Sequence, residues 1–164
     1  MQEIVCFHKP DEENGYLSNW YLSEFFVQGE RFSSIKQYMV YQKALQFNDF
    51  SARDNILITN DAAAIKQIER EVRNCNERVW KGKSQLIVYQ GLLSKFSQND
   101  ELKDKLLDTG SAMLAECSVS DRIWGIGISM KDDRRYLIDQ WEGQNLLGFS
   151  LMQVRNILYE TRSL

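Results

Sequence analysis

The chain has 164 residues, 43% of them hydrophobic and 26% charged, with nine glycines and one proline. That length suits a single domain with one core, and the composition lies well outside the low-hydrophobicity, high-charge regime of disorder. A formal charge of −3 argues against a protein that grips nucleic acid along its whole surface, because duplex binding draws on many Lys and Arg contacts to phosphate. A nucleic-acid substrate would be met locally, at one flipped nucleotide.

Cys6, Cys75 and Cys117 are scattered without metal-ligand spacing, and His8 is the only histidine. A structural zinc site needs four Cys/His ligands, so the cysteines read as reduced, mostly buried thiols of an intracellular protein, with no metal and no cofactor. The first fifteen residues carry four acids and no apolar core, unlike a signal peptide. No apolar run approaches a membrane span. The expected location is the cytoplasm, with no membrane partner.

In chain order, Ile4 to His8 reads as a short strand, followed by a charged turn. Phe25–Val27 and Arg31-Phe32 flank a hairpin turn at Gln28-Gly29-Glu30. Ser34-x-x-Gln37 fits a capping box opening a helix through Leu45. A short helix from Ser51 follows, then one from Asp61 to about Arg73, with Ile65, Ile68 and Val72 at helical spacing. Asn76 to Phe96 reads as a longer helix with Leu86, Tyr89, Leu93 and Phe96 on its stripe, and Asp100 to Asp108 as a compact helix stopped by Gly110. Met113 to Cys117 and Ile123 to Ile128 read as strands, the second interrupted by Gly125 and Gly127. Lys131 to Gln144 is a polar loop, and the final helix, about Asn145 to Glu160, places Leu147, Leu151, Val154 and Leu158 on one face. The expected fold is α+β: a single compact domain over residues 1–164, mainly helical, with a small antiparallel sheet.

No Walker loop, nucleophile elbow, zincin helix or dinucleotide fingerprint occurs. Gly125-Ile126-Gly127 by itself marks a bulge or a close backbone approach. The Ser34 helix is more informative. Lys36 stands in its first turn, where the helix dipole favours acids. Lys43 lies seven residues on, on the same face and roughly 10 Å along the axis, with Met39 and Val40 between them. A lysine beside apolar groups, another cation or a helix N-terminus can become a nucleophilic amine; the plainer reading is two solvated lysines. Trp20, Trp80, Trp124 and Trp141 are core or lid residues by default. Trp20 follows Ser18-Asn19 in a turn, however, and Trp124 stands between Asp121 and the glycine pair, settings in which an indole can stack on a base beside a working carboxylate. Glu116 and Asp121 would otherwise be ordinary strand-end or capping acids.

Six segments in order resemble successive motifs of the NADAR (YbiA-like) family: Leu17 to Tyr21, Gln37 to Ala44, Leu92 to Asn99, Leu106 to Gly110, Asp121 to Gly127, and Asn145 to Gly148 followed by Leu151-Met152-x-Val154-Arg155. Each is unremarkable alone; their order and spacing hold from about Tyr16 to Arg155. The resemblance implies a hydrolase of the N-glycosidic bond between ribose and a base. Some members of the family act on phosphoribosylamino-pyrimidine intermediates of riboflavin synthesis, others remove ADP-ribose from guanine in nucleic acid. It also implies a substrate pocket with Ser18, Asn19, Trp80, the loop carrying Gly125 and Gly127, Asn145 and Gly148, with Trp20, Trp80 and Trp124 as stacking platforms. Lys43 matches the family pattern and is the first choice as nucleophile, through a Schiff base at C1. Lys36 is a second cation beside it or the amine itself, Asp121 the proton-transfer group, and Glu116 its reserve.

One departure matters. Many relatives carry glutamate followed by His or Gln where this chain has Lys36-Gln37, and that glutamate is the expected acid/base of the riboflavin-linked branch. The run Trp141-Glu142-Gly143-Gln144-Asn145 is closer to the WPGxN form of the ADP-ribose-associated branch. Both point to removal of ADP-ribose from a modified base, and so to reversal of DNA ADP-ribosylation, with local contact to an ADP-ribosylated guanine nucleotide. The alternatives are the riboflavin-pathway N-glycosidase and a non-catalytic module that binds ADP-ribose or a nucleotide. Turnover is expected to survive prolonged EDTA treatment; loss of activity restored by one added metal ion would contradict this.

Overall fold

A computed structural model of the chain describes residues 3–162. In chain order its elements are β1 (Ile4–Phe7), β2 (Phe25–Val27), β3 (Glu30–Phe32), α1 (Ile35–Gln46), α2 (Phe50–Leu57), α3 (Ala62–Glu71), α4 (Glu77–Gln98), α5 (Asp100–Asp108), β4 (Met113–Glu116) and α6 (Leu146–Arg162), with short 3₁₀ turns at Gly15–Leu17, Asp133–Tyr136 and Ile138–Gln140. The class is α+β and mainly helical. By its internal contacts the chain divides into two units, one of residues 22–98 and the other of the segments on either side of it.

In the 22–98 unit, β2 and β3 form the expected antiparallel hairpin, Phe25 opposite Phe32 and Val27 opposite Glu30. Gln28 (φ 51°) and Gly29 (φ 85°) supply two successive left-handed residues, the turn whose twist matches that of the strands. Ser34 caps α1, its hydroxyl accepting from the Gln37 amide at 3.1 Å. The reciprocal half of the box closes one residue earlier than the pattern implies: the Gln37 side-chain oxygen accepts from the Ser33 amide at 2.8 Å. Its amide nitrogen donates to the Ile56 and Thr59 carbonyls at 2.9 and 3.0 Å. One buried side chain therefore fixes the start of α1 and ties it to the end of α2. Asp49 and Asp61 cap α2 and α3 through the amides of Ala52 and Ala64.

The buried stripe of α4 differs from the expected one. Trp80, Ser84, Val88, Gly91, Leu92, Lys95 and Phe96 face inward, whereas Leu86 is 61% exposed and Tyr89 and Leu93 are half-buried. Gly91 explains the choice of face. A Cβ there would lie 2.6 Å from the Tyr38 ring, so only glycine lets α1 approach with Tyr38 edge-on to Phe32, ring centroids 5.1 Å apart.

In the other unit β1 and β4 pair in parallel, Ile4 opposite Met113 and Phe7 opposite Glu116. This corrects the expectation of a purely antiparallel sheet. Parallel neighbours require a long crossover, here all the residues between Phe7 and Met113. The helix α6 buries Leu147, Leu151, Val154 and Leu158 as its spacing predicts, and it lies directly on β4: a Cβ on Gly148 would be 2.0 Å from the Leu114 carbonyl. Gly110 ends the turn after α5 with φ 56°.

Residues Ile123 to Ile128, expected as a strand, form a series of turns instead. Their carbonyls are committed to a helix start: Gly125, Ile123 and Trp124 accept from the amides of Asn145, Leu146 and Leu147 at 3.0–3.1 Å. These amides belong to the donors that a helix N-terminus leaves unpaired, so the segment caps α6 rather than extending the sheet. The 131–144 segment is the expected polar loop, with its two 3₁₀ turns.

Lys95 is fully buried, and burial brings its amine down to about 7. In the unfolded chain the amine stays protonated to about pH 10.4. Between these values the unfolded state binds the extra proton, so this residue's contribution to stability rises with pH, by up to about 1.4 kcal/mol per unit. Lys95→Met removes that slope. The stability advantage of the variant over wild type, read from urea midpoints, should be largest below pH 7 and shrink as pH rises to 10; a constant difference would contradict a buried titrating amine.

Candidate active site

The two lysines of α1 occupy different settings. Lys36 forms an ion pair with Glu69 of α3, its Nζ 2.8 and 2.9 Å from the two carboxylate oxygens. Lys43 is 7% exposed. Met39 and Val40 are buried in the core between the lysines, the apolar setting that the sequence indicated. The Lys43 Nζ sits 3.4 Å from Glu77 Oε1 and 5.8 Å from the centre of the Trp80 ring. Glu77 and Trp80 are three residues apart in the first turn of α4, so they emerge on one face. Glu77 also accepts from the Cys75 thiol at 3.2 Å. That hydrogen bond, and then the Lys43 charge, hold its carboxyl below the usual range, whereas burial and then Glu77 push the Cys75 thiol up. Each lysine thus has its own carboxylate.

The remaining candidates lie in the other unit. The Ser18 hydroxyl is buried after the first 3₁₀ turn and accepts from the Trp20 amide at 3.2 Å; Asn19 and Trp20 beside it are half-buried. Glu116 ends β4 at 8% exposure, with its Oε1 2.9 Å from His8 Nδ1. Burial raises the Glu116 carboxyl, and the hydrogen bond to Glu116 raises His8. The pair holds its proton more tightly than either group would in water. Asp121 places Oδ1 on the amides of Ile123 and Trp124 at 2.9 and 2.8 Å, so it builds the turn that presents the half-buried Trp124. Its charge also contributes to the rise at Glu116.

Gly125 and Gly127 are required by packing. A Cβ on Gly125 would meet the Glu116 carbonyl at 2.8 Å, and one on Gly127 (φ 75°) would meet Glu142 at 3.0 Å. Asn145 is wholly buried with φ 53°. Its side chain donates to the Leu114 carbonyl at 2.8 Å and accepts from the Glu116 amide at 3.1 Å. Together with Gly148 it fixes α6 to β4, beside the Glu116–His8 pair.

The structure therefore gathers Glu116, Asp121, Trp124, Gly125, Asn145 and Gly148 about the end of β4, and Lys43 with Trp80 at the start of α4. Lys36 is held by α3. Sequence reasoning missed Glu77, Cys75, Glu69 and His8 as partners of these groups. The acid in the first turn after Asn76 was a readable sign for Glu77; nothing local marks the others. Among the described residues no group of three or more His, Cys, Asp or Glu side chains is placed to hold a metal ion, and no helix is long and apolar enough to cross a membrane.

An α+β fold with a buried lysine on an indole, and a loop of turns held at the start of the last helix, is the class that the six sequence motifs mark. The chain belongs to the NADAR domain family, whose model matches residues 6–159. It is 38% identical to an N-glycosidase of Acanthamoeba polyphaga mimivirus, over 93% of this chain and 95% of that protein. It is 31% identical to a riboflavin biosynthesis protein of Vibrio vulnificus, over 98% of this chain but only 40% of that one. Among solved structures it is similar to the NMR structure of the Escherichia coli protein YbiA, with a TM-score of 0.81 and 26% identity over 99% of this chain and 89% of that chain.

Proposed function

We propose that this chain is an N-glycosidase that removes ADP-ribose from a modified base, guanine in nucleic acid, and that Lys43 is the attacking amine. The glycosidase class is supported by the viral relative and by a Nostoc punctiforme protein also named N-glycosidase, 26% identical over 98% of this chain. The observation that carries the mechanism is the setting of the Lys43 Nζ, nearly closed to water yet aimed at Glu77 and the Trp80 face. Unlike a solvated surface lysine, this amine is held in one place by a carboxylate and an indole, and transfer of its proton to a base leaves it nucleophilic.

Chemically, the C1–O4′ bond breaks as O4′ takes a proton and C1 becomes doubly bonded to the base nitrogen. The unprotonated Lys43 nitrogen adds to C1, and the bond from C1 to the base nitrogen then breaks. The base leaves with a proton and its bonding electron pair, and C1 remains joined to nitrogen as an iminium. Water then adds at C1, the C–N bond to lysine breaks, and the amine and free ADP-ribose are restored. Asp121 is the first candidate for proton transfer. Glu116, whose carboxyl burial raises, is the reserve for that role, and one Asp121 oxygen is spent on two backbone amides. The three free cysteines suit a reducing compartment, and we place the protein in the cytoplasm.

The second reading is hydrolysis of a phosphoribosylamino-pyrimidine intermediate of riboflavin synthesis, and the Vibrio relative favours it. Against it stands Lys36, paired to Glu69 where the resemblance leads one to expect a free carboxylate.

Borohydride should trap the imine as a stable protein–sugar adduct. Lys43→Arg keeps the charge but cannot deprotonate in the usable pH range, and is expected to lose both turnover and trapping. Lys36→Arg should retain both. The opposite pattern would reverse the assignment, and normal turnover in both variants with no adduct would end the Schiff-base mechanism.

A further inference from the structure

We propose that Glu77 is the counter-ion of the lysine-bound sugar, holding the C1 iminium on Lys43 in its protonated form until water attacks. This rests on the reading of Lys43 as the attacking amine. Once the neutral nitrogen has bonded to C1 and the base has left, the iminium carries one positive charge at that nitrogen, and the Glu77 carboxylate, 3.4 Å from the Lys43 Nζ, is placed to face it. An opposite charge within about 4–6 Å favours the protonated form of its partner by about 1–3 pH units. Glu77 is 68% exposed on its side chain, so solvent screening puts the effect at the lower end.

The carboxylate is itself held in place. The Cys75 thiol donates to the same oxygen that faces Lys43. Asn76 starts the helix by accepting from the Val79 amide at 3.1 Å, which fixes the turn carrying both Glu77 and Trp80. Among the other charges near α1, Glu69 pairs with Lys36, Asp49 with Arg73, Arg53 with Asp54 and Arg31 with Glu24. Lys81, one turn along α4, acts on Glu77 and helps keep it ionised. The Cys75 thiol, pushed up by burial and by Glu77, remains neutral and serves as a donor. Glu77 is therefore a positioning residue that acts through the lysine. The step needs no further reactant, since it adds no bond to the hydrolysis and only sets which protonation state of the intermediate persists.

The test is the pH profile of reductive trapping with cyanoborohydride, which reduces an iminium and spares a neutral imine, using an ADP-ribosylated guanine oligonucleotide as probe. Wild type, Glu77→Gln and Glu77→Asp are compared, with thermal melting to establish that each is folded. The alkaline limit of trapping should move down by about one pH unit in Glu77→Gln and return most of the way in Glu77→Asp, which retains the charge. Cys75→Ser keeps a donor and should follow wild type. If wild type traps and Glu77→Gln has the same alkaline limit, the counter-ion role is overturned while the amine mechanism stands. If the folded wild type turns the substrate over but traps at no pH, the amine mechanism fails and the counter-ion falls with it. A Glu77→Asp profile that tracks Glu77→Gln would also overturn the proposal, because length rather than charge would then be at issue.

Discussion

The side-chain amide of Asn145 acts as a third strand one residue long. β4 pairs with β1 along one edge; on the other, Asn145 takes the Glu116 amide and returns a donor to the Leu114 carbonyl. A buried edge with unmatched backbone groups costs about 1–3 kcal/mol for each orphan, so one side chain settles a large debt. To reach both atoms the residue must stand at φ 53°, a left-handed conformation that asparagine accepts far more readily than β-branched or bulky residues. Gly148 completes the arrangement, since any side chain there would strike the strand that Asn145 bonds. The direction of the Glu116 carboxyl, its contact with His8 and the turns carrying Trp124 all follow from this junction.

In the 22–98 unit the equivalent organiser is Gln37, which closes the cap of α1 and bonds the end of α2 with the same amide. With α1 so fixed and Gly91 admitting Tyr38, the first turn of α4 is set against Lys43. The unit accommodates two unfavourable features, a lysine at 7% exposure and another at none. Burying a lysine costs free energy whether it keeps its charge or gives up its proton. Lys43 has partners that can be read chemically; Lys95 carries the larger burial.

Much of this was legible in the sequence, for local reasons. Caps, the hairpin and the α6 stripe depend on residues within a few positions of one another, so Ser34-x-x-Gln37, Gln28-Gly29 and the spacing of Leu147, Leu151, Val154 and Leu158 state them directly. The parallel pairing of β1 with β4 was hidden because alternation shows that a strand exists, not which partner it finds. Ile123 to Ile128 misled for a physical reason: isoleucines alternating with glycines have strand character, but the carbonyls are claimed by the start of α6 twenty residues on. On α4, Leu86 has the spacing of a core residue, yet the small Gly91 decides which face can approach α1. Of the candidate site, Lys43 was visible from its spacing and from the family pattern. Glu77 left only the sign of an acid in the first turn after Asn76, and Cys75 left none, because it reaches that carboxylate across a turn at Asn74, φ 59°. Lys36 found its carboxylate 33 residues away, beyond any local pattern.

The function turns on which bond is cut, and offering the protein both substrates side by side identifies it. An ADP-ribosylated guanine oligonucleotide and a phosphoribosylamino-pyrimidine are incubated with equal amounts of enzyme, and the products are followed by mass spectrometry. Free ADP-ribose and an unmodified guanine strand are expected from the first, at a rate well above that from the second. Cleavage of the pyrimidine substrate alone would contradict this, as would stoichiometric binding of the oligonucleotide with no ADP-ribose released.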